Sequence, residues 1–373
     1  MKSFLALGLC LALAQPVLPA TSFRQALPGY RYRFPRDHAS HPAFQTEWWY
    51  YTGHLESPKG AQRRRFGYQL TFFRHALTPE VSGRQSKWAT RDIIFAHLAL
   101  TDETQARFYS TDRIARAGLG LAGANTVVPH VWIYQWTLRF TGKTGASQSL
   151  RASGSDGGVE FALDLRQRAV KPPIIHGENG VSQKSAGVGR ASHYYSFTRL
   201  ATDGTVRIGG ERFRVTGQSW FDHEFGSNQL GKNQVGWDWF SLQLADGREL
   251  MLYRLRLRGG GTEPLSSGTV VEKNGQARHL KREEFRLEPL TSWRSPRSGG
   301  VYPARWRVTL PREGLVLETT PTVADQELET RRSLSIAYWE GSISVTGTQR
   351  GRPVSGAGYL EMVGYARGLE GAF

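Results

Sequence analysis

The stretch Ser219–Gly226, SWFDHEFG, sets three ionisable side chains side by side among aromatic rings. Successive side chains of an extended strand alternate between faces. Asp222 and Glu224 therefore share one face and His223 takes the other. A carboxyl buried among rings is pushed up in pKa, because desolvation disfavours the anion, and can then act as a general acid near neutral pH. On this reading Asp222, with Glu224 and His223, forms the candidate catalytic group. The competing reading is a structural corner, in which Asp222 or His223 ties down a loop through hydrogen bonds. Adjacent Asp, His and Glu on a strand do not converge on one point, and no helical H-E-x-x-H is present. We therefore expect no metal and no cofactor.

Two aromatic stretches accompany this group. Glu47–Leu55 reads EWWYYTGHL, and Gly236–Phe240 reads GWDWF. Trp237 and Trp239 share a strand face and could wall an apolar pocket. The rings of the first stretch fall on both faces, as in a barrel wall with a lumen on one side and a second layer on the other. The candidate ligand-binding residues are Glu47, Trp48, Trp49, Tyr51, His97, Tyr194, Trp237 and Trp239, around an expected cavity of roughly 300–1,000 Å³. Plain core packing is the alternative for any single ring, and a hydrogen-bonded wall position is the alternative for His97. Two motifs are rejected. Gly226–Lys232 matches G-x-x-x-x-G-K, but Asn233 replaces the Ser/Thr that would hold magnesium. Gly217–Phe221 lacks the final glycine of G-x-S-x-G.

The elements that carry these residues read as β throughout. Alternating runs such as Phe66–Phe73, Ile93–Leu100 and Leu250–Leu257 are separated by turn signals such as Thr202-Asp203-Gly204 and Lys273-Asn274-Gly275. No amphipathic helix of more than a few turns is visible. Many short strands with hairpin signals indicate antiparallel sandwiches or barrels. Lys171 to Ser192, rich in Pro, Gly and Ser, reads as a loop. A break at Gly226–Gly236 separates two strand-dense halves, which we place at residues 24–226 and 227–373.

Residues 1–20 read as a secretory signal: Lys2, the apolar run Phe4–Ala14, then small residues. The single cysteine, Cys10, falls inside it, so a processed chain would carry no thiol and no disulfide. The expected location is periplasmic or secreted. The 373 residues carry a formal charge of +16. The basic residues are spread along strands rather than clustered, which favours a solvated surface over a nucleic-acid partner. No later segment is apolar enough to span a membrane as a helix.

HPAFQTEWWYYTGHL, RDIIFAHLALTD, SWFDHEFGSNQL with GWDWFSLQLADG, and YWEGSISVTG with GYLEMVGY together resemble the AttH-like proteins. These are also labelled predicted secreted hydrolases, and are relatives of hydroxyneurosporene synthase, an acyclic-carotenoid 1,2-hydratase. The resemblance runs in order from His41 to Tyr365. It implies an all-β protein of two consecutive lipocalin-like (calycin-type) barrels, the first ending near SWFDHEFG. It further implies a hydrophobic, lipid- or isoprenoid-like ligand in a barrel lumen, hydrated or hydrolysed by carboxylic-acid catalysis. Asp222 would be the acid, with Glu224 or His223 guiding the water. Two other readings stand beside it. One is a non-catalytic carrier or accessory protein that hands its ligand to an envelope system, with an inner-membrane transporter as partner. The other is an envelope protein with a packed core and no ligand.

Overall fold

A computed structural model describes residues 22–57, 63–79, 89–228 and 230–366; the expected signal segment and Cys10 lie outside them. The described residues form β-strands joined by turns, with helical structure limited to single 3-10 turns at Arg36–His38 and Arg282–Glu284. The chain builds two antiparallel sheets that curl into consecutive lipocalin-like barrels, the first nearly closed and the second a half-barrel. In the first, Asp92–Asp102, Arg65–Ala76, Thr46–Glu56, Glu211–Gly226 and Ala191–Ile208 lie side by side in that order. In the second, Glu249–Leu257, Gln234–Leu244, Arg352–Val363 and Ala337–Gln349 do so.

Alternation decides which faces are buried. In Val159–Ala169, Phe161, Leu163 and Leu165 point into the first barrel while Glu160, Asp164 and Arg166 face water, the pattern of a sheet wet on one side. Thr46–Glu56 breaks this rule, since nearly every residue from Glu47 to Leu55 is buried to some degree. Trp49 and Tyr51 join the packed cluster that fills the first barrel. Tyr50, with Trp48 beside it, joins a separate cluster containing Tyr194, Trp220, Trp239, Tyr253 and Tyr359. That second cluster lies between the barrels. The rings on both faces thus serve two interiors, one inside a barrel and one between barrels.

A cavity of the size expected for a lumen lies outside the packed interiors of the two barrels. The first barrel is filled by Trp49, Tyr51, Phe66, Tyr68, Trp136 and their neighbours. The second is filled by Phe240, Tyr302, Trp306, Trp339 and theirs. Side chains this large take up much of the interior that a ligand would need. An open volume lies on the outer faces, where the barrels meet.

Polar contacts fix that meeting. Gln243 Nε2 donates to the carbonyls of Thr198 (2.8 Å) and Ser219 (3.0 Å). Thr101 Oγ1 donates to Gln326 Oε1 at 2.8 Å, and the backbone N–H groups of Arg332 and Ser333 donate to Asp112 Oδ2 at 2.9 and 2.6 Å. The predicted loop after Lys171 acts as a strap. Lys171 Nζ and Arg199 Nε each sit 2.6 Å from the buried Glu249 carboxylate of the second barrel. His176 Nδ1 reaches Thr269 Oγ1 at 2.8 Å. Backbones also approach closely: a Cβ built on Gly67 would stand 2.7 Å from Ser342 Cβ and 2.8 Å from Tyr359 Oη, across the interface.

Candidate functional site

A cavity of about 790 Å³ lies between the barrels. Its first wall is the outer face of the first barrel, which supplies Trp48, Tyr50, Phe73, Phe95, His97 and Asp222. Its second wall comes from the second barrel, through Trp237, Trp239, Tyr253, Tyr338, Glu340 and Glu361. Register explains the first wall. Antiparallel pairing sets Tyr50 opposite Asp222 and Trp48 opposite Glu224, while Ser196 and Tyr194 flank the same two carboxyls from the other side. Residues directly opposite share a face, so the two carboxylates of SWFDHEFG lie among rings contributed by neighbouring strands.

Asp222 is the most heavily supported of these groups. Its Oδ2 accepts from the Tyr194 hydroxyl at 2.9 Å. Its Oδ1 accepts from the Trp220 indole at 2.6 Å and from the Ser196 hydroxyl. Burial pushes the carboxyl up to about 7, against the pull of these three donors, and the charge of Glu224 adds to the rise. Both protonation states are therefore populated near neutral pH. The network extends outward from Asp222 in two directions. The Trp239 indole of the second barrel donates to Tyr194 Oη at 3.1 Å. On the other side His176 Nε2 lies 2.6 Å from Ser196 Oγ. When Ser196 donates to an ionised Asp222 it accepts from His176, whose Nδ1 is then free to accept from Thr269. Burial holds His176 down at about 3, so it stays neutral.

The second wall brings two more carboxyls. Glu340 and Glu361 are directly paired neighbours on adjacent strands. Burial raises Glu361 to about 8, opposed by the hydrogen bond from the Trp237 indole and reinforced by Asp222 and Glu224. Burial and then the charge of Glu361 hold Glu340 well above the usual carboxylate range. Like charges this close in a dry site do not both ionise. A cation faces the group: Lys184 Nζ stands 3.0 Å from Glu224 Oε1, over the Tyr253 ring at 4.3 Å. Burial works against its charge, but Glu224 and its neighbours raise the Lys184 pKa, so it remains an ammonium.

The cavity thus gathers Asp222, Glu224, Trp48, His97, Tyr194, Trp237 and Trp239 from the residues singled out by sequence. His97 is a neutral wall residue, held down at about 4 by burial, with Nδ1 2.8 Å from the Tyr338 hydroxyl. Glu47, Trp49, Tyr51 and His223 do not reach the cavity. They occupy the opposite face of the same two strands. Tyr51 donates to Gln148 at 2.7 Å, and Trp49 stacks on His223 with ring centroids 4.8 Å apart. His223 Nε2 lies 2.9 Å from Glu47 Oε1, so it cannot guide a water in the cavity. Among the described residues, His41, Glu47 and His223 form the one cluster whose ligand-type atoms lie within 4.8 Å of one another. Arg74 Nε, 3.0 Å from Glu47 Oε2, already brings a positive charge there, and Ser40 Oγ and the His41 backbone N–H fill the remaining positions on that oxygen. Burial pushes Glu47 up, but His223, His41 and Arg74 overcome it and hold the carboxylate ionised. The cluster is an ion-paired knot that anchors the strand behind Asp222.

Sequence reasoning passed over Tyr50, His176, Lys184, Ser196, Tyr253, Tyr338, Glu340 and Glu361. Glu340 and Glu361 carried a usable signal: each is a lone carboxylate in an apolar strand, in YWEGSIS and GYLEMVGY, where an unpaired charge is costly. Tyr50 was recoverable from alternation with Trp48. Nothing local marks Lys184, which reaches the cavity from the strap.

A family model described as AttH-like matches residues 25–365. The crystal structure of a provisional AttH protein from Nitrosomonas europaea superposes with a TM-score of 0.80 at 33% identity, covering 92% of this chain and 100% of that one. Kievitone hydratase from Nectria haematococca superposes with a TM-score of 0.68 at 14% identity, covering 94% and 98% of the two chains. No curated protein matches the sequence. With a family model spanning nearly the whole described chain and a relative that shares a third of its residues end to end, the chain belongs to the AttH-like family.

Proposed function

We propose that this protein is a hydratase-like enzyme that adds water across a branched carbon–carbon double bond of an apolar substrate held between the barrels. One observation carries the reading: a carboxyl that titrates near neutrality, Asp222, faces a cavity of about 790 Å³ walled by aromatic rings. A hydratase of the same fold, acting on kievitone, is consistent with it. In the reaction, neutral Asp222 gives its proton to the less substituted alkene carbon. Positive charge develops on the neighbouring carbon, opposite the faces of Trp48, Tyr50 and Trp239, each worth about 0.5–2 kcal/mol to a cation. Water adds to that carbon, and the extra proton of the resulting oxonium returns to the Asp222 carboxylate. Alkene and water become an alcohol, and the acid is regenerated. Glu224, fixed by Lys184, is the polar group beside Asp222 that can orient the water. The working location that suits this reading is outside the cytoplasm.

The test is incubation with acyclic isoprenoids bearing a terminal isopropylidene group, in water enriched in oxygen-18. The expected outcome is a tertiary alcohol carrying the label, lost by at least about 10²-fold in Asp222→Asn, while the melting temperature stays within a few degrees. Retention of unlabelled isoprenoid without turnover, equal in wild type and Asp222→Asn, would point to the carrier reading instead.

A further inference from the structure

The hydration reading uses Asp222 and leaves the Glu340–Glu361 pair without a task. Both side chains line the same cavity. Glu340 is 1% exposed and its Oε1 has no hydrogen-bond partner. Tyr50, 6% exposed, faces the cavity with its hydroxyl likewise unpartnered. The Tyr50 and Tyr338 hydroxyls lie near enough to Glu340 to stabilise its anion as hydrogen-bond donors, but neither makes a well-formed hydrogen bond to Oε1. Buried polar atoms in that state are costly, and here they surround an opening large enough for a molecule.

We propose that the Glu340–Glu361 end of the cavity binds the ammonium group of an amphiphilic amine, a cation carried on an apolar body. The wall has the two components that recognise such a group: carboxylates for its charge, and the rings of Tyr50, Trp237, Trp239 and Tyr338 for its faces. Lys184 demonstrates the environment from within the chain, its ammonium lying 3.0 Å from Glu224 and over the rings of Tyr253 (4.3 Å) and Tyr194 (5.2 Å). Lys184 occupies the Glu224 side and leaves Glu340 and Glu361 unmatched. Away from the carboxyls the cavity turns apolar, with Phe73, Phe95, Ile93, Ile114, Leu334 and Ile336 available to an alkyl or isoprenoid tail. The rest of the molecule argues against adventitious cation binding, since the chain carries a formal charge of +16. The inference shares its cavity with the hydration reading but not its chemistry, because a non-catalytic carrier would bind the amine equally well.

Calorimetric titration of the intact protein with decyltrimethylammonium and with 1-decanol tests it. The expected result at pH 8 is an ammonium affinity at least about tenfold above that of the alcohol. That preference should fall towards unity in Glu340→Gln/Glu361→Gln and persist in Asp222→Asn, which ends hydration but keeps both carboxyls of the pair and removes only a neighbouring charge that opposes their ionisation. A second measurement needs no variant. Glu340 is faced by Tyr50, Tyr338 and Glu361, and Glu361 by Trp237, Asp222 and Glu224, with Lys184 beyond. Because the pair holds protons at neutral pH, ammonium binding must displace one. Wild-type affinity should therefore rise from pH 6 to pH 8 by up to about tenfold per unit. Absence of ammonium binding, equal affinity for the alcohol, a preference that survives the double substitution, or a pH-independent affinity would each overturn the proposal.

Discussion

Asp222 and His223 are adjacent in the chain and serve opposite sides of one strand. Asp222 faces the inter-barrel cavity, while His223 faces the first barrel and joins the Glu47–His41–Arg74 knot. The knot fixes the strands that present Trp48, Tyr50, Asp222 and Glu224. Breaking a buried ion pair by removing one partner costs about 3–5 kcal/mol, mostly through the charge left behind. Arg74 keeps Asp92 at 2.9 Å and the carbonyl of Phe44 at 2.7 Å, so the lower end of that range applies. Glu47→Gln should lower the free energy of unfolding by about 3 kcal/mol, read by denaturant titration. A change below about 0.5 kcal/mol, the scale of an ordinary surface substitution, would show that the knot does not hold the strand.

At the scale of elements, the cavity exists because two sheets touch at some points and stand apart at others. Gly67 marks a touching point. Its place is taken by Ser342 and Tyr359 of the second barrel, at 2.7–2.8 Å from where a Cβ would be. Gly67→Val should cost about 1–3 kcal/mol by overpacking and widen the gap between the barrels. The expected signature is a red shift of tryptophan emission with weaker retention of apolar probes, since Trp237 and Trp239 would gain water. An unchanged spectrum would mean that the interface repacks around the methyl groups. The strap contributes in the other direction: Lys171 and Arg199 of the first barrel neutralise Glu249 of the second.

At the scale of the whole molecule, stability should peak near pH 6.5, because two sets of buried groups oppose each other. His38 and His176, held at about 3, and His97 and His193, held at about 4, are all depressed by burial. Below the unfolded value of about 6.5, the unfolded chain takes up protons that these folded residues refuse, so stability falls as pH falls. Asp222, raised to about 7, and Glu361, raised to about 8, keep protons that the unfolded chain has already lost above about pH 4. Their contribution falls as pH rises towards those values. Each group contributes a slope of about 1.4 kcal/mol per pH unit within its window. Below pH 6.5 the four histidines outweigh the carboxyls; above it the carboxyls act, joined by His41, whose pKa rises because burial is overcome by Asp37 and Glu47, and whose contribution is also lost as pH rises. Denaturation from pH 4 to 9 should show this maximum, and Asp222→Asn should flatten its alkaline limb. Stability that keeps rising from pH 7 to 9 would contradict the assignment. The fully buried Glu249, whose charged partners Lys171 and Arg199 both lie in the first barrel, also predicts that the two barrels unfold in one transition.

Period-two alternation and turn residues are local, so the sequence alone determined that the described residues are β throughout. Quoted motifs spread from His41 to Tyr365 determined the family. Alternation also separated Asp222 and Glu224 from His223, because strand geometry leaves no other choice. It could not say which face meets a lumen and which meets a second barrel, since both faces of EWWYYTGHL are apolar. That choice decided that Trp48 and Tyr50 line the cavity while Trp49 and Tyr51 fill a core. Glu340 and Glu361 come to face Asp222 across more than a hundred residues of chain, and Lys184 arrives from a loop without periodicity. Such meetings depend on how two finished barrels dock, and on the burial that docking imposes on every ionisable group between them. Only the tertiary structure could decide that a carboxyl at position 222 titrates near neutral pH while the carboxylate at position 47 stays charged.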